Sequence, residues 1–419
     1  MADHEISALK AHFYAQTFLK HSQISLGDMP PGFFDLNKVT CAFVPITIKD
    51  INGGLLFYDF SLSIARKRVG TMRIAANDLL GYPLVSIHEK ITTDNAVRRK
   101  QVSAKIKKQA NNPQIVSMEL VCFNYPRLGF LVTFNTSIGE TKQVIVDPEF
   151  PESEMFEVPE GGAGDIEGEV AYSVLNSLPE GGAQSSRAFT GLDKIMDDLT
   201  GNAFVPLVPP ASSGQQQAFS AHMANLLLPA LQDMPEGIGA PSEKVIDIPF
   251  ESQKTPDFCV LACMDMLAHK LGVVPPTDQD SIEALLTQAP ALYNTGGIRP
   301  SDQLASFGRV FSPALFSVAI DSQPSWDKSI AVIDQGRAFK SGIIGHARVA
   351  CGYSIVPITG PSSNSPIQTQ RFLWLNDPAN GHTLELQEVV TQNKQTGGIQ
   401  VTTQNPIKSN MVTVTPKGL

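Results

Sequence analysis

Cys259 stands at the head of an apolar run, Cys259–Leu271, directly behind Gln253-Lys-Thr-Pro-Asp-Phe. Pro256 and Asp257 form the turn before it, so the spacing predicts a helix that begins at the cysteine. A thiol at a helix N-terminus faces the positive end of the macrodipole, which favours the thiolate, the nucleophile of acyl transfer. Gln253, six residues upstream, could return its side-chain amide to the same place. With the backbone N–H of Cys259 it would then bind the oxyanion of a tetrahedral intermediate. A base is needed next. His346, in Gly345-His346-Ala347-Arg348-Val349, begins a strand pattern from which its ring could reach across a cleft. A third group must orient that ring, and the next strand pattern ends on two candidates, Asn376 and Asp377. Cysteine, histidine, then Asp or Asn in chain order follow the logic of a catalytic triad.

Taken singly, each residue has an ordinary explanation: a core cysteine, a structural histidine, a turn signal in Asn-Asp-Pro. Order and spacing make the combination specific. Gln253, Cys259, Gly345-His346-Ala347, Gly352-Tyr353 and Asn376-Asp377-Pro378-Ala-Asn-Gly381 together resemble the papain-like cysteine peptidases. The resemblance is nearest to the bacterial branch of double-glycine (bacteriocin-processing) and effector-type proteases. Asp334-Gln335-Gly336-Arg337 resembles the helix end that precedes the histidine in that branch. The resemblance implies Cys259 as nucleophile, His346 as base, Asp377 as orienting carboxylate (with Asn376 the alternative, as in papains proper) and Gln253 as oxyanion donor. It further implies a peptide or protein substrate and no cofactor. One departure is Val260, where many relatives carry glycine after the cysteine; a side chain there would narrow the cleft. Cys263, one turn on, reads as a core residue.

The elements that must position these groups are legible in outline. Residues 246–419 place helix patterns first (Cys259–Leu271, Asp280–Gln288, Ser301–Val310) and strand patterns later (Ala314–Ile320, His346–Ile355, Arg371–Leu375, Met411–Thr415), an α+β order. Residues 1–150 form a smaller α+β unit. Its strand patterns are Thr40–Ile48, Leu55–Ala65, Arg68–Ile74, Ile115–Phe123, Leu128–Phe134 and Lys142–Val146, and Thr93–Gln109 reads as a basic helix. The predicted architecture is thus α+β: a papain-like C-terminal domain of helices and antiparallel sheet, preceded by an accessory or pro-domain.

Between them, residues 151–245 hold 9 Pro and 11 Gly and repeat Pro-Glu-Gly-Gly-Ala at 159–163 and 179–183. The segment reads as a linker, with short helices expected at Ser186–Leu199 and Gln215–Gln232. It carries 14 acidic and 3 basic residues, so the formal charge of −9 over 419 residues belongs to this segment and the remainder nets +2. A protease-like domain tethered through Gly161-Gly162 and Gly181-Gly182 suggests a zymogen cut in the linker. Its partners would then be its own N-terminal domain and linker, the basic helix holding the acidic segment. The acidic balance argues against nucleic acid and anionic membrane surfaces. No run reaches the ~18 apolar residues of a membrane helix. The N-terminus lacks a secretory pattern, and five scattered cysteines form no disulfide framework or CxxC site. The sequence reads as that of a cytoplasmic protein with reduced thiols; export by a non-classical route stays open.

Overall fold

The computed structural model describes residues 4–26, 29, 31–149, 155–158, 171–178, 186–200, 242–273, 278–289, 292–293, 297–360, 362, 365–403 and 408–418. The repeated Pro-Glu-Gly-Gly-Ala motifs and the expected helix at 215–232 lie outside them. Seventeen strands and seven α-helices are present among the described residues. The strands are β1 Thr40–Cys41, β2 Ile46–Asp50, β3 Leu55–Ile64, β4 Lys67–Ala75, β5 Leu84–His88, β6 Gln114–Asn124, β7 Arg127–Asn135, β8 Thr141–Val146, β9 Phe156–Glu157, β10 Ser242–Val245, β11 Phe316–Asp321, β12 Phe339–Ile343, β13 His346–Thr359, β14 Ile367–Asp377, β15 Gly381–Gln392, β16 Ile399–Thr403 and β17 Lys408–Pro416. The helices are α1 Ala8–Ser25, α2 Ala96–Gln109, α3 Ser186–Thr200, α4 Cys259–Leu271, α5 Gln279–Thr287, α6 Gln303–Val310 and α7 Trp326–Asp334.

Their pairing runs β9-β8-β7-β6-β2-β3-β4-β5 through the N-terminal half and β15-β14-β13-β12-β17-β11 through the C-terminal half. β1 adds to β3, β10 to the second half of β13, and β16 to the far half of β15. All pairs are antiparallel except β2 with β6. The two halves meet where β5 pairs with β15 through His88–Thr383, Ile87–Leu384 and Ser86–Glu385. The fold is therefore a mixed α/β one built on a large, mostly antiparallel sheet that crosses from the first 150 residues into the last 170.

Side-chain patterning explains the shared core. β3 buries Leu56 to Phe60 and β5 buries all five of its residues, the near-continuous burial of strands covered on both faces. α1 caps one face: Ser7 accepts from Lys10 N at its start, an N-cap that satisfies one orphan donor. Its Phe18 meets Phe372 of β14 at 5.2 Å between ring centroids, and Phe33, beyond its end, meets Trp374 edge-on at 5.0 Å. One hydrophobic cluster thus runs from Ile6 to Val414. α4 ends in the left-handed Gly272 (φ 64°), a conformation free of the Cβ penalty only for glycine.

The strands expected in residues 1–150 are present except that Thr40–Ile48 divides into β1 and β2 around residues 42–45; the helix expected over Thr93–Gln109 is α2, and α3 matches the helix predicted at 186–199. Two buried strands, β12 and β15, had no sequence signal, and α7 was marked only at its end, by the helix-end likeness of Asp334-Gln335-Gly336-Arg337. β12 reads Phe-Lys-Ser-Gly-Ile, which composition assigns to a loop, yet every residue of it is buried. No helix among the described residues is long and apolar enough to cross a membrane.

Candidate active site

Cys259 is the first residue of α4. Phe258, the cap residue, makes no side-chain capping bond, and the first turn carries no acid. The N-terminal amides therefore keep their positive end directed at the thiol. Cys259 is 9% exposed and His346 5%. His346 begins β13, entered by a turn in which Gly345 has φ +72°. The position a Cβ would take at Gly345 is filled by the side-chain amide of Asn124, from the tip of the β6–β7 hairpin. Glycine is required there twice over, by conformation and by space.

The ring of His346 is fixed from the far side. Its Nε2–H donates to Asp377 Oδ1 at 2.8 Å, both side chains 1% exposed. An ionised carboxylate only accepts, so Nε2 carries the proton and Nδ1 is left for the thiol. Asp377 ends β14 and is itself held: Oδ1 accepts from the N–H groups of Ala379 (2.8 Å) and Asn380 (3.2 Å), and Oδ2 from Asn380 Nδ2 (3.1 Å). Sequence order thus becomes spatial contact, with Cys259 beside His346 and His346 bonded to Asp377.

The charges agree with that geometry. Burial pushes the Cys259 thiol up, but the hydrogen bond and charge of His346, the N–H of Ala347 and the ammonium of Lys340 outweigh it and hold the thiol below its ordinary value. Burial lowers His346, and the charge and hydrogen bond of Asp377 together with Cys259 raise it to about 9. Burial raises Asp377, but His346, Arg348 and the Ala379 N–H hold it well below the carboxylate range. Both directions favour the charged pair, thiolate and imidazolium, over the neutral one. The other four cysteines are buried and pushed the opposite way: Cys41, Cys122 and Cys351 to about 12, and Cys263 well above the ordinary thiol range, chiefly by burial. Cys263 is a core residue of α4, 0% exposed.

The remaining candidates fall as follows. Asn376 and Asp377 are neighbours on one strand and so face opposite ways. Asn376 turns from the histidine, donating Nδ2 to Ile248 O at 3.1 Å and accepting from Cys351 Sγ at 3.8 Å. Gln253 is buried, and its backbone N–H donates to Pro378 O at 3.2 Å, which ties the cysteine loop to the Asp377 turn. Its Nε2 donates to Thr255 O (3.0 Å) and Pro256 O (3.1 Å) of its own loop. Serving as an oxyanion donor would require one of those bonds to open. Val260 is buried in the core, 4% exposed, and so does not stand in the cleft as its place after the cysteine suggested.

Two charged groups near the site escaped sequence reasoning. Lys340 of β12, 1% exposed, donates to Gln303 Oε1 at 2.8 Å and to Asn410 Oδ1. Burial lowers it to about 8, opposed by the thiols Cys263 and Cys259. Arg348, two residues beyond His346, pairs with buried Glu385, which also accepts from Tyr125 Oη of the N-terminal half at 3.3 Å. A lysine in a short polar stretch reads as surface, so neither had a signal. Among the described residues no cluster of His, Cys, Asp and Glu could hold a metal ion.

Two measurements test this geometry. Asp377→Asn should slow alkylation of Cys259 at neutral pH by about tenfold, the effect of one unit of thiol pKa, whereas Asn376→Ala should leave that rate within about twofold and lower stability instead. Equal effects of both would remove Asp377 from its place. The second is stability against pH. His346 titrates at 6.5 in an unfolded chain and about 9 in the folded one. Its contribution is then complete below pH 6.5 and lost as pH rises through 9. The gap in melting temperature between wild type and Asp377→Asn should narrow from pH 6 to pH 10; a constant gap would contradict the raised value.

Compared with known proteins, the chain matches no family model, no curated protein and no solved structure. The functional reading therefore rests on the residues and their geometry.

Proposed function

We propose that the chain is a cysteine peptidase whose C-terminal half is papain-like. The observation that supports this most is the buried group Cys259–His346–Asp377 with the thiol at a helix N-terminus. In the proposed reaction Cys259 Sγ attacks an amide carbonyl carbon. The oxyanion is met by the Cys259 N–H at the start of α4, where donors are already oriented. As the C–N bond breaks, His346 Nδ1–H passes its proton to the departing amine, leaving a thioester. His346 then takes a proton from water, the resulting hydroxide attacks the thioester, and the thiolate is released with the acid product. Acyl transfer or deamidation would use the same thioester with another nucleophile or amide, and turnover of a peptide library separates these from hydrolysis. Cleavage within 151–245 would act as the regulatory event.

An epoxide thiol probe tests the reading. One label, on Cys259, is expected at neutral pH, because the other four thiols are held protonated. Equal, slow labelling of all five cysteines would instead mark a papain-like binding protein without activity.

A further inference from the structure

The turn that carries Asp377 is held from outside its own half of the chain. Immediately after β5, Glu89 N–H donates to His382 O at 3.2 Å and Lys90 N–H donates to Asn380 O at 3.2 Å. Lys90 Nζ donates to Ala379 O at 2.7 Å and also pairs with Glu149. Glu89 Oε2 accepts from the backbone N–H of His382 (3.1 Å) and lies 2.7 Å from its Nδ1. Every residue from Ala379 to His382 except Gly381 thus has a polar bond to Glu89 or Lys90. Beside these bonds lies a small cavity lined in part by Lys90, Arg98, Asp147, Glu149, Ala379 and Asn380, so the Lys90 side chain borders both the turn and an unfilled space.

We infer that Lys90 is a positioning residue for the triad: from the N-terminal half it clamps the Ala379–Asn380 peptide whose N–H groups hold Asp377 against His346. The N-terminal half is then a working part of the site rather than a cover to be shed, and a cut within 151–245 would act without releasing it. The hairpin tip supports the same conclusion at the other catalytic turn, where Asn124 fills the space over Gly345 and Tyr172 Oη donates to Ile344 O at 3.4 Å.

The inference rests on the cysteine-nucleophile reading, and one experiment separates the two. The pH profile of iodoacetamide alkylation at Cys259 is measured by peptide mass spectrometry on the full chain for wild type, Lys90→Met and Lys90→Arg, with melting temperature recorded for each. Methionine keeps the bulk of the stem and removes the donor. In Lys90→Met the turn relaxes toward the cavity and Asp377 loosens from His346. The thiolate then loses its counter-ion, so alkylation at pH 6 should fall about tenfold, one unit of thiol pKa. Lys90→Arg should restore at least half of it. A Lys90→Met profile identical to wild type overturns the clamp, as does a loss of reactivity that only follows a lower melting temperature and that arginine does not rescue. If Lys90→Met fails to fold, Glu89→Gln, which weakens the bonds to His382, takes its place under the same two criteria. A wild-type Cys259 no more reactive than the other cysteines would overturn the nucleophile reading itself.

Discussion

Cys259→Ala should abolish selective labelling by the epoxide probe and reduce any amide hydrolysis by at least about 10⁴-fold, the scale seen when a triad nucleophile is removed. The four remaining thiols are buried and protonated, so none can substitute. His346→Ala should lose a comparable amount, and the double variant little more, because nucleophile and base act as a unit. Multiplying losses in the double variant would mean that the two residues act separately. The same alanine variant tests the proposed processing of the linker. Wild type incubated alone should yield fragments by intact mass, and Cys259→Ala should keep full length. Equal, full-length masses in both would remove self-cleavage while leaving the peptidase proposal to the probe.

The largest expected effect on stability lies in the N-terminal half. Arg73 of β4 donates Nε and Nη2 to the two oxygens of Asp59 on β3, each at 2.8 Å, with side-chain exposures of 2% and 0%. Thr92 Oγ1 adds a bond of 2.5 Å to the same carboxylate, and Arg73 lies over the Phe57 ring. Asp59→Ala leaves the guanidinium buried and uncompensated, a loss of about 3–5 kcal/mol. A domain's whole stability is about 5–15 kcal/mol, so the variant should unfold at a markedly lower urea midpoint. Replacing both partners, as Asp59→Leu with Arg73→Met, should recover most of that loss, since well-packed apolar groups often match a buried pair. A loss of less than about 1 kcal/mol in Asp59→Ala would mean that water reaches the guanidinium.

How much of this could be read beforehand depends on the type of signal. β3, β4, β6 and β7 carry β-branched and aromatic residues and were legible as strand patterns. Cys259, His346 and Asp377 were legible because their order and flanking residues leave few arrangements. The choice of Asp377 over Asn376 needed strand alternation, which depends on register. β12 and β15 were illegible because burial is tertiary: Lys340, Ser341, Glu385 and Gln387 look like surface and are interior, partnered by residues 37 or more positions away or by their own strand. The joint between β5 and β15 had no local trace, and with it the role of Glu89 and Lys90 was hidden. Gln253 shows the reverse case, a motif residue whose amide is committed to its own loop.

The joint has a consequence for the order in which the chain folds. Residues 86–88 must find residues 383–385 across some three hundred positions, whereas β3, β4, β6, β7, β13 and β14 close locally with their neighbours. Loop-closure entropy must be met before such a distant pairing returns any contact. The seam therefore forms late, and the turn bearing Asp377 lies directly beside it. The hairpin of β14 and β15 sets Asp377 locally, but the bonds from Glu89 and Lys90 to residues 379–382 come only with the seam, so the turn is shaped by its own half first and braced by the other half afterwards.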